Sequence, residues 1–94
     1  MRISGLEAIV LDLLVARGAT YGLDLVQASR GRLKRGSVYV TLGRMEQKGL
    51  VRSTLDERPG EGPARRLYEP TAHGLRALVA SSLFHGDLPL GVRP

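Results

Sequence analysis

Gly36-Ser37-Val38-Tyr39-Val40-Thr41-Leu42-Gly43-Arg44-Met45-Glu46-Gln47-Lys48-Gly49-Leu50-Val51 is the stretch from which the rest of this 94-residue chain can be read. Val38, Leu42 and Met45 stand at i, i+4 and i+7, so a helix from about Ser37 to Lys48 gathers them into one apolar stripe. Gly49 follows where a helix-ending residue of positive φ is expected. The opposite face carries Ser37, Val40, Thr41, Arg44, Gln47 and Lys48, with Glu46 off to one side. Ser and Thr contact bases or phosphates, Arg grips guanine through two bonds, and Val40 suits a thymine methyl. An acid-free face of this composition fits a DNA major groove.

Working back from this helix, Arg30 to Gly36 is a basic turn bounded by Gly31 and Gly36, and it brings Lys34 and Arg35 beside the candidate groove face. From Arg30 to Arg52 there are seven basic residues and one acid, Glu46. Before the turn, a shorter helix is expected from about Tyr21 to Ser29, capped by Thr20, with Leu25 and Val26 inward. Ahead of that, Ser4 and Glu7 have the S-x-x-E spacing of a capping box, in which each side chain satisfies the other residue's backbone N–H. Leu6, Ile9, Val10, Leu13 and Leu14 then recur at helical period until Gly18. A second strip on this first helix, Ala8, Leu11 and Val15, makes it apolar around much of its circumference. Such a helix has more than one surface to pack against, its own core and a second subunit being the candidates.

Beyond Gly49 the period changes to two. Leu50, Arg52, Thr54 and Asp56 alternate with Val51, Ser53 and Leu55, the pattern of a strand with one buried face. Glu57-Arg58-Pro59-Gly60-Glu61-Gly62-Pro63 is too rich in proline and glycine for regular structure. Ala64 to Glu69 is a return strand with Leu67 facing in, and the pair forms a β-hairpin. Pro70 ends it, Thr71 is a good N-cap, and a last helix runs to about Phe84 on Leu75, Leu78, Val79 and Leu83. The order predicts a mainly α domain with a small β-hairpin, a winged helix-turn-helix of three helices, a two-stranded wing and a closing C-terminal helix. It spans residues 1–84, and 85–94 is an irregular tail, possible dimer material.

The whole-chain properties agree. The net charge of +5 and the pI near 10.4 suit a polyanionic partner. There is no cysteine, which excludes disulfides and thiolate metal sites and suits a reducing, cytoplasmic setting. No apolar run approaches the ~20 residues a membrane span needs, and no signal peptide is evident.

Three runs also resemble one family. The stretch from Gly36 to Val51 is similar to the recognition helix of PadR-type transcriptional regulators, with its G-[ST]-x-Y-x-x-L-x-x-[LM]-E-x-x-G-L-[VI] pattern. Thr20-Tyr21-Gly22-Leu23-Asp24-Leu25 resembles the family's Y-G-x-[ED]-[IL] opening of the second helix. Arg66-Leu67-Tyr68-Glu69-Pro70-Thr71-Ala72-His73-Gly74 resembles its R-x-Y-x-[LP]-T-x-x-G junction of wing and last helix. The resemblance covers roughly residues 5 to 80. It implies a regulator, a repressor in the first instance, that binds a pseudo-palindromic duplex operator as a homodimer without a cofactor. It implies further that the Tyr39 hydroxyl bonds a phosphate beside Ser37, and that Arg58, Arg65 and Arg66 of the wing meet the DNA backbone. Tyr21 is expected to be structural, packing the second helix on the third.

The chain departs from the pattern in two places. Val40 stands where many members have proline, which alters the groove face. Many members also carry a long C-terminal helical region for dimerisation, whereas about two dozen residues follow the wing here. Pairing therefore falls to Leu11 and Val15 of the first helix and to Leu83 and Phe84 of the last, with Leu88 and Leu90 of the tail as further candidates. With no tryptophan and one phenylalanine, an aromatic pocket for a small-molecule effector is not supported.

Catalysis is not expected. His73 and His85 are twelve residues apart, ~18 Å along a continuous helix, and share neither a metal nor a proton. Asp56 and Glu57 have no histidine partner, and the Pro-Gly-Glu-Gly-Pro tip lacks the Gly-Lys-[Ser/Thr] and following helix of a phosphate loop. The competing function class is a winged-helix module that contacts another regulator or a polymerase. The basic turn and the acid-free face favour DNA over that alternative.

Overall fold

A computed structural model describes residues 2–56 and 65–85, with the side chains of 83–85 left aside. The elements run α1 (Gly5–Arg17), β1 (Thr20–Tyr21), α2 (Gly22–Ala28), α3 (Val38–Gln47), β2 (Val51–Asp56), β3 (Arg65–Pro70) and α4 (Ala72–His85). The strands form one antiparallel sheet in the order β1-β3-β2. The expected hairpin tip and the 86–94 part of the tail lie outside the described residues.

The capping box of α1 is present: the Ser4 N–H donates to Glu7 Oε1 at 2.8 Å, and the Glu7 N–H donates to Ser4 Oγ at 3.1 Å. From this anchor α1 sends Val10, Leu11 and Leu14 into the core, where they meet Leu25 of α2, Val38, Leu42 and Met45 of α3, Leu50, Val51, Tyr68, and Ala77 and Leu78 of α4. The stripe read from the sequence of α3 is therefore its buried face. Leu11 departs from expectation. It has no exposed surface, because the last helix closes over α1 on that side, so it is a core residue and not a dimer contact. Val15 is half-buried and packs on the same core.

The sheet corrects two further expectations. Thr20 does not cap α2: its hydroxyl donates to the Gly18 carbonyl at 2.8 Å, and it is buried as part of β1. Tyr21 is the residue before α2, with extended backbone and no side-chain cap bond. Thr20 and Tyr21 pair instead with Tyr68 and Leu67, which adds a short third strand to the sheet at the base of the two-stranded wing. Tyr68, not Leu67, is the buried residue of β3. Cross-strand partners share a face, and Tyr68 lies opposite Ser53, in line with buried Val51 and buried Thr20. Burial pushes the Tyr68 phenol above its ordinary pKa, with the nearby Glu46 charge adding to the shift.

Two junctions set the position of α3. On the upstream side, buried Ser29 accepts the Leu33 N–H on its hydroxyl at 2.9 Å, and Leu33 plugs the core from within the basic turn. The Lys34 carbonyl then accepts the Val38 N–H at 2.9 Å, so the turn runs straight into the helix. On the downstream side Gly49 has φ 75°, which a residue with a side chain adopts only at a cost, and the chain reverses into β2. Thr71 caps α4 against this same corner. Its hydroxyl accepts the Gly74 N–H at 2.9 Å and donates to the Gly49 carbonyl at 2.5 Å.

Lys48, at the C-terminal end of α3, donates to Glu7 Oε2 at 2.8 Å and so ties α3 to the start of α1. Burial alone would raise the Glu7 carboxyl. The Lys48 hydrogen bond, the Ser4 backbone N–H, the Lys48 charge and the Ser4 hydroxyl together outweigh it and hold the pKa below the ordinary 4.5. A depressed carboxyl stabilises the fold above its unfolded pKa and loses that contribution as pH falls through the folded value. Glu7→Gln should therefore cost about 1 kcal/mol at neutral pH, since the lysine is partly exposed and its charge is screened. Urea unfolding at neutral pH and again below pH ~4 should show the gap between the two proteins closing on acidification. A gap independent of pH would mean that Glu7 acts through the cap alone.

Candidate nucleic-acid interface

With Val38, Leu42 and Met45 buried, α3 leaves Ser37, Tyr39, Val40, Arg44 and Gln47 exposed and Thr41 half-buried. Val40 is 56% and Tyr39 50% exposed, both large for apolar or aromatic side chains in so small a domain. Arg44 lies one turn beyond Val40 on the same side, and among the described residues no side chain accepts from its guanidinium. The strip is thus a cation, three hydroxyls, an amide and an apolar branch, held on a helix whose other side is fixed.

Tyr39 also has a structural contact. A methyl built on Gly22 would come within 2.7 Å of the Tyr39 ring, so the ring lies directly on the first residue of α2. Tyr39, rather than Tyr21, is therefore the tyrosine that packs the second helix against the third. Because the ring is pinned by its edge to Gly22 and half exposed, its hydroxyl is held beside the start of α2.

Lys34 and Arg35 are exposed ahead of α3. Lys48 is not part of the strip. It lies one turn beyond Arg44 and is exposed, but its ammonium is committed to Glu7. The one acid of the region is also drawn aside. Glu46 accepts from the Ser53 hydroxyl at 2.8 Å, and Ser53 in turn accepts from Arg66 Nη1 at 3.0 Å, which leans Arg66 toward the body of the domain. Arg52 is paired with Glu69 at 2.6 Å. Arg65 lies over the ring of Tyr21, 4.4 Å from its centre, and the Tyr21 hydroxyl donates to Asp56. Arg58 lies outside the described residues, as do the side chains of Leu83 and Phe84. The parts played by Ser53 and Tyr21 were missed in the sequence. Both act across the β2-β3 and β1-β3 pairings, which no local pattern announces.

Among the described residues no group of three potential metal-ligating side chains converges, and no helix is long and apolar enough to cross a membrane.

The fold and this strip have counterparts. A PadR family regulator from hypervirulent Clostridium difficile R20291 is 28% identical, with a TM-score of 0.69 over 85% of this chain and 86% of that one. A PadR family transcriptional regulator from Eggerthella lenta DSM 2243 is 30% identical, with a TM-score of 0.71 over 86% of this chain and 72% of that one. Bacillus subtilis PadR, solved in complex with operator DNA, shares the fold at 20% identity, with a TM-score of 0.77 over 96% of this chain and 53% of that one. The chain therefore spans about half the length of the Bacillus protein. No curated protein sequence is detectably similar to the chain. The model of the transcriptional regulator PadR-like family matches residues 10–80, which include α2, α3 and both strands of the wing. On that match, and on a winged-helix architecture shared with solved PadR proteins, the chain belongs to the PadR family of transcriptional regulators and is not an enzyme.

Proposed function

We propose that the chain is a cytoplasmic, sequence-specific repressor that binds a pseudo-palindromic operator in duplex DNA as a homodimer. The observation that carries this reading is the outer face of α3. Ser37, Val40 and Arg44 stand uncovered, with Thr41 half-buried among them, on a helix whose opposite stripe is buried. In this reading α3 enters the major groove, where Arg44 reads a guanine edge, Val40 meets a thymine methyl, and the Tyr39 and Ser37 hydroxyls bond phosphate. Lys34 and Arg35 approach the backbone from the basic turn, and Arg58, Arg65 and Arg66 approach it from the wing. Two protomers place their α3 helices in successive major grooves about 34–36 Å apart.

Pairing of protomers is assigned to Val15 of α1 and to Leu83 and Phe84 of α4. Leu6 of α1 and Leu75 of α4, both about two-fifths exposed, supply further apolar surface on the same two helices. No small-molecule effector is part of this reading. The Bacillus relative's complex with operator DNA supports DNA binding by the shared fold.

The test is the salt dependence of duplex binding. A protein that neutralises 6–10 phosphates should lose about 10³–10⁵ in affinity between 50 and 200 mM salt. Affinity for duplex that is absent, or indifferent to salt, would leave the protein-docking module as the better reading.

A further inference from the structure

We infer that Tyr21 is a positioning residue for the wing, holding the Arg65 guanidinium face-down so that its in-plane N–H groups are offered to a DNA phosphate. The inference rests on the reading of the wing given above and adds a residue to it.

The placement follows from the strand register. Tyr21 of β1 pairs with Leu67 of β3, Arg65 lies two residues along β3 from Leu67, and Asp56 of β2 is the partner of Arg65. Alternate residues of a strand and direct cross-strand partners share a face, so Tyr21, Arg65 and Asp56 are brought together on one side of the sheet. That side is opposite the one carrying buried Tyr68. There the Arg65 guanidinium lies 4.4 Å from the centre of the Tyr21 ring. The Tyr21 hydroxyl donates to the Asp56 carboxylate.

Each contact has a consequence for phosphate binding. A guanidinium stacked on an aromatic face keeps all its N–H donors in the plane, at the rim of the stack, where two of them match the oxygens of a phosphate. Holding it there beforehand removes part of the ordering cost of binding. The hydroxyl bond acts on Asp56. Opposite charges directly across two strands attract, and Asp56 is the cross-strand partner of Arg65. By occupying the carboxylate, the Tyr21 hydroxyl competes for it with the cation that the phosphate is to meet. One side chain both presents the base and restrains its nearest acid.

The experiment is equilibrium binding to a labelled duplex of random sequence, which reads backbone contacts alone, with thermal unfolding run on every variant. Arg65→Ala should weaken binding about tenfold and make the log-log salt slope shallower by about 0.9. Tyr21→Leu should reproduce most of that loss, and the double variant should bind no more weakly than Arg65→Ala alone. Tyr21→Phe keeps the stack and removes the hydroxyl bond to Asp56. It should lose a smaller part, and adding Asp56→Asn should restore binding toward that of the wild type, a rescue that a purely structural role for Tyr21 would not give. Independent, multiplying losses for Tyr21→Leu and Arg65→Ala would overturn the inference, as would wild-type affinity in both Tyr21 variants. If Arg65→Ala binds like the wild type while the wild type shows its steep salt dependence, the wing contact at Arg65 fails and takes the positioning role with it. A wild type with no duplex affinity removes the regulator reading itself. If Tyr21→Leu unfolds at the assay temperature, the Tyr21→Phe and Asp56→Asn pair decides the matter.

Discussion

Gly74→Ala should lower the thermal midpoint by about 12 °C or more, because overpacking against rigid backbone costs about 3 kcal/mol or more and each kcal/mol moves a domain of this size by roughly 4–8 °C. Gly74 is buried near the start of α4, and a methyl there would collide with the Leu50 carbonyl oxygen, with the carbonyl carbon only 2.9 Å away and a Leu11 methyl at 3.2 Å. Neither side can give way cheaply. Leu50 is fixed by a hydrogen bond to Met45 just after α3, and its carbonyl accepts the Thr71 N–H. Gly43→Ala is the matched control. A methyl at that exposed helical position meets nothing within 4 Å, so the better helix propensity of alanine should leave the midpoint unchanged or raise it. A melt in which the two variants behave alike would mean that α4 does not seat on the corner after Gly49.

Arg44→Ala should cost about 1–3 kcal/mol on the preferred operator, roughly 5- to 150-fold in affinity, and much less on random duplex. The asymmetry is the informative part. A phosphate contact is lost equally on every sequence, whereas a two-bond grip on guanine is lost only where that guanine is present. Selection of duplexes from a random pool by the wild type and the variant should show one position of each half-site relaxing. Equal losses on both kinds of DNA would move Arg44 to the backbone and leave Val40 and Thr41 as the readers of sequence. Thermal unfolding of the variant should match the wild type, since Arg44 is exposed and unpaired among the described residues.

What could be read without coordinates was what repeats locally. The Val38-Leu42-Met45 stripe, the Ser4–Glu7 box, the stop at Gly49 and the cap at Thr71 each lie within one or two turns of chain, and the model shows all four. A two-residue strand such as β1 has no period to detect, so Thr20 passed for a cap and the third strand was invisible. In β3, Leu67 and Tyr68 are adjacent and both apolar in part. Alternation alone cannot choose between them, and the choice is made by the partners Thr54 and Ser53. Lys48 was counted by charge as a groove residue, yet its partner is 41 residues away, and such a pairing leaves no trace in spacing. Leu11 failed for a related reason. A helix apolar on two sides announces two neighbours, and here its own chain supplies the second in α4. Leu33 is a single buried leucine among basic residues, with no periodic neighbour to mark it as core, and the Ser29 hydroxyl that holds it follows α2.

The pairing of β1 with β3 joins the wing's return strand to the residues that lead directly into α2. The hairpin is thus clamped at its root to the helical body and behaves as a cantilever rather than a hinge. On the proposed reading, grafting a longer, shorter or more basic connection between Asp56 and Arg65 should change how far the arm reaches along the duplex while α3 keeps its place. On that reading, the grip on the DNA backbone and the choice of sequence should be alterable one at a time.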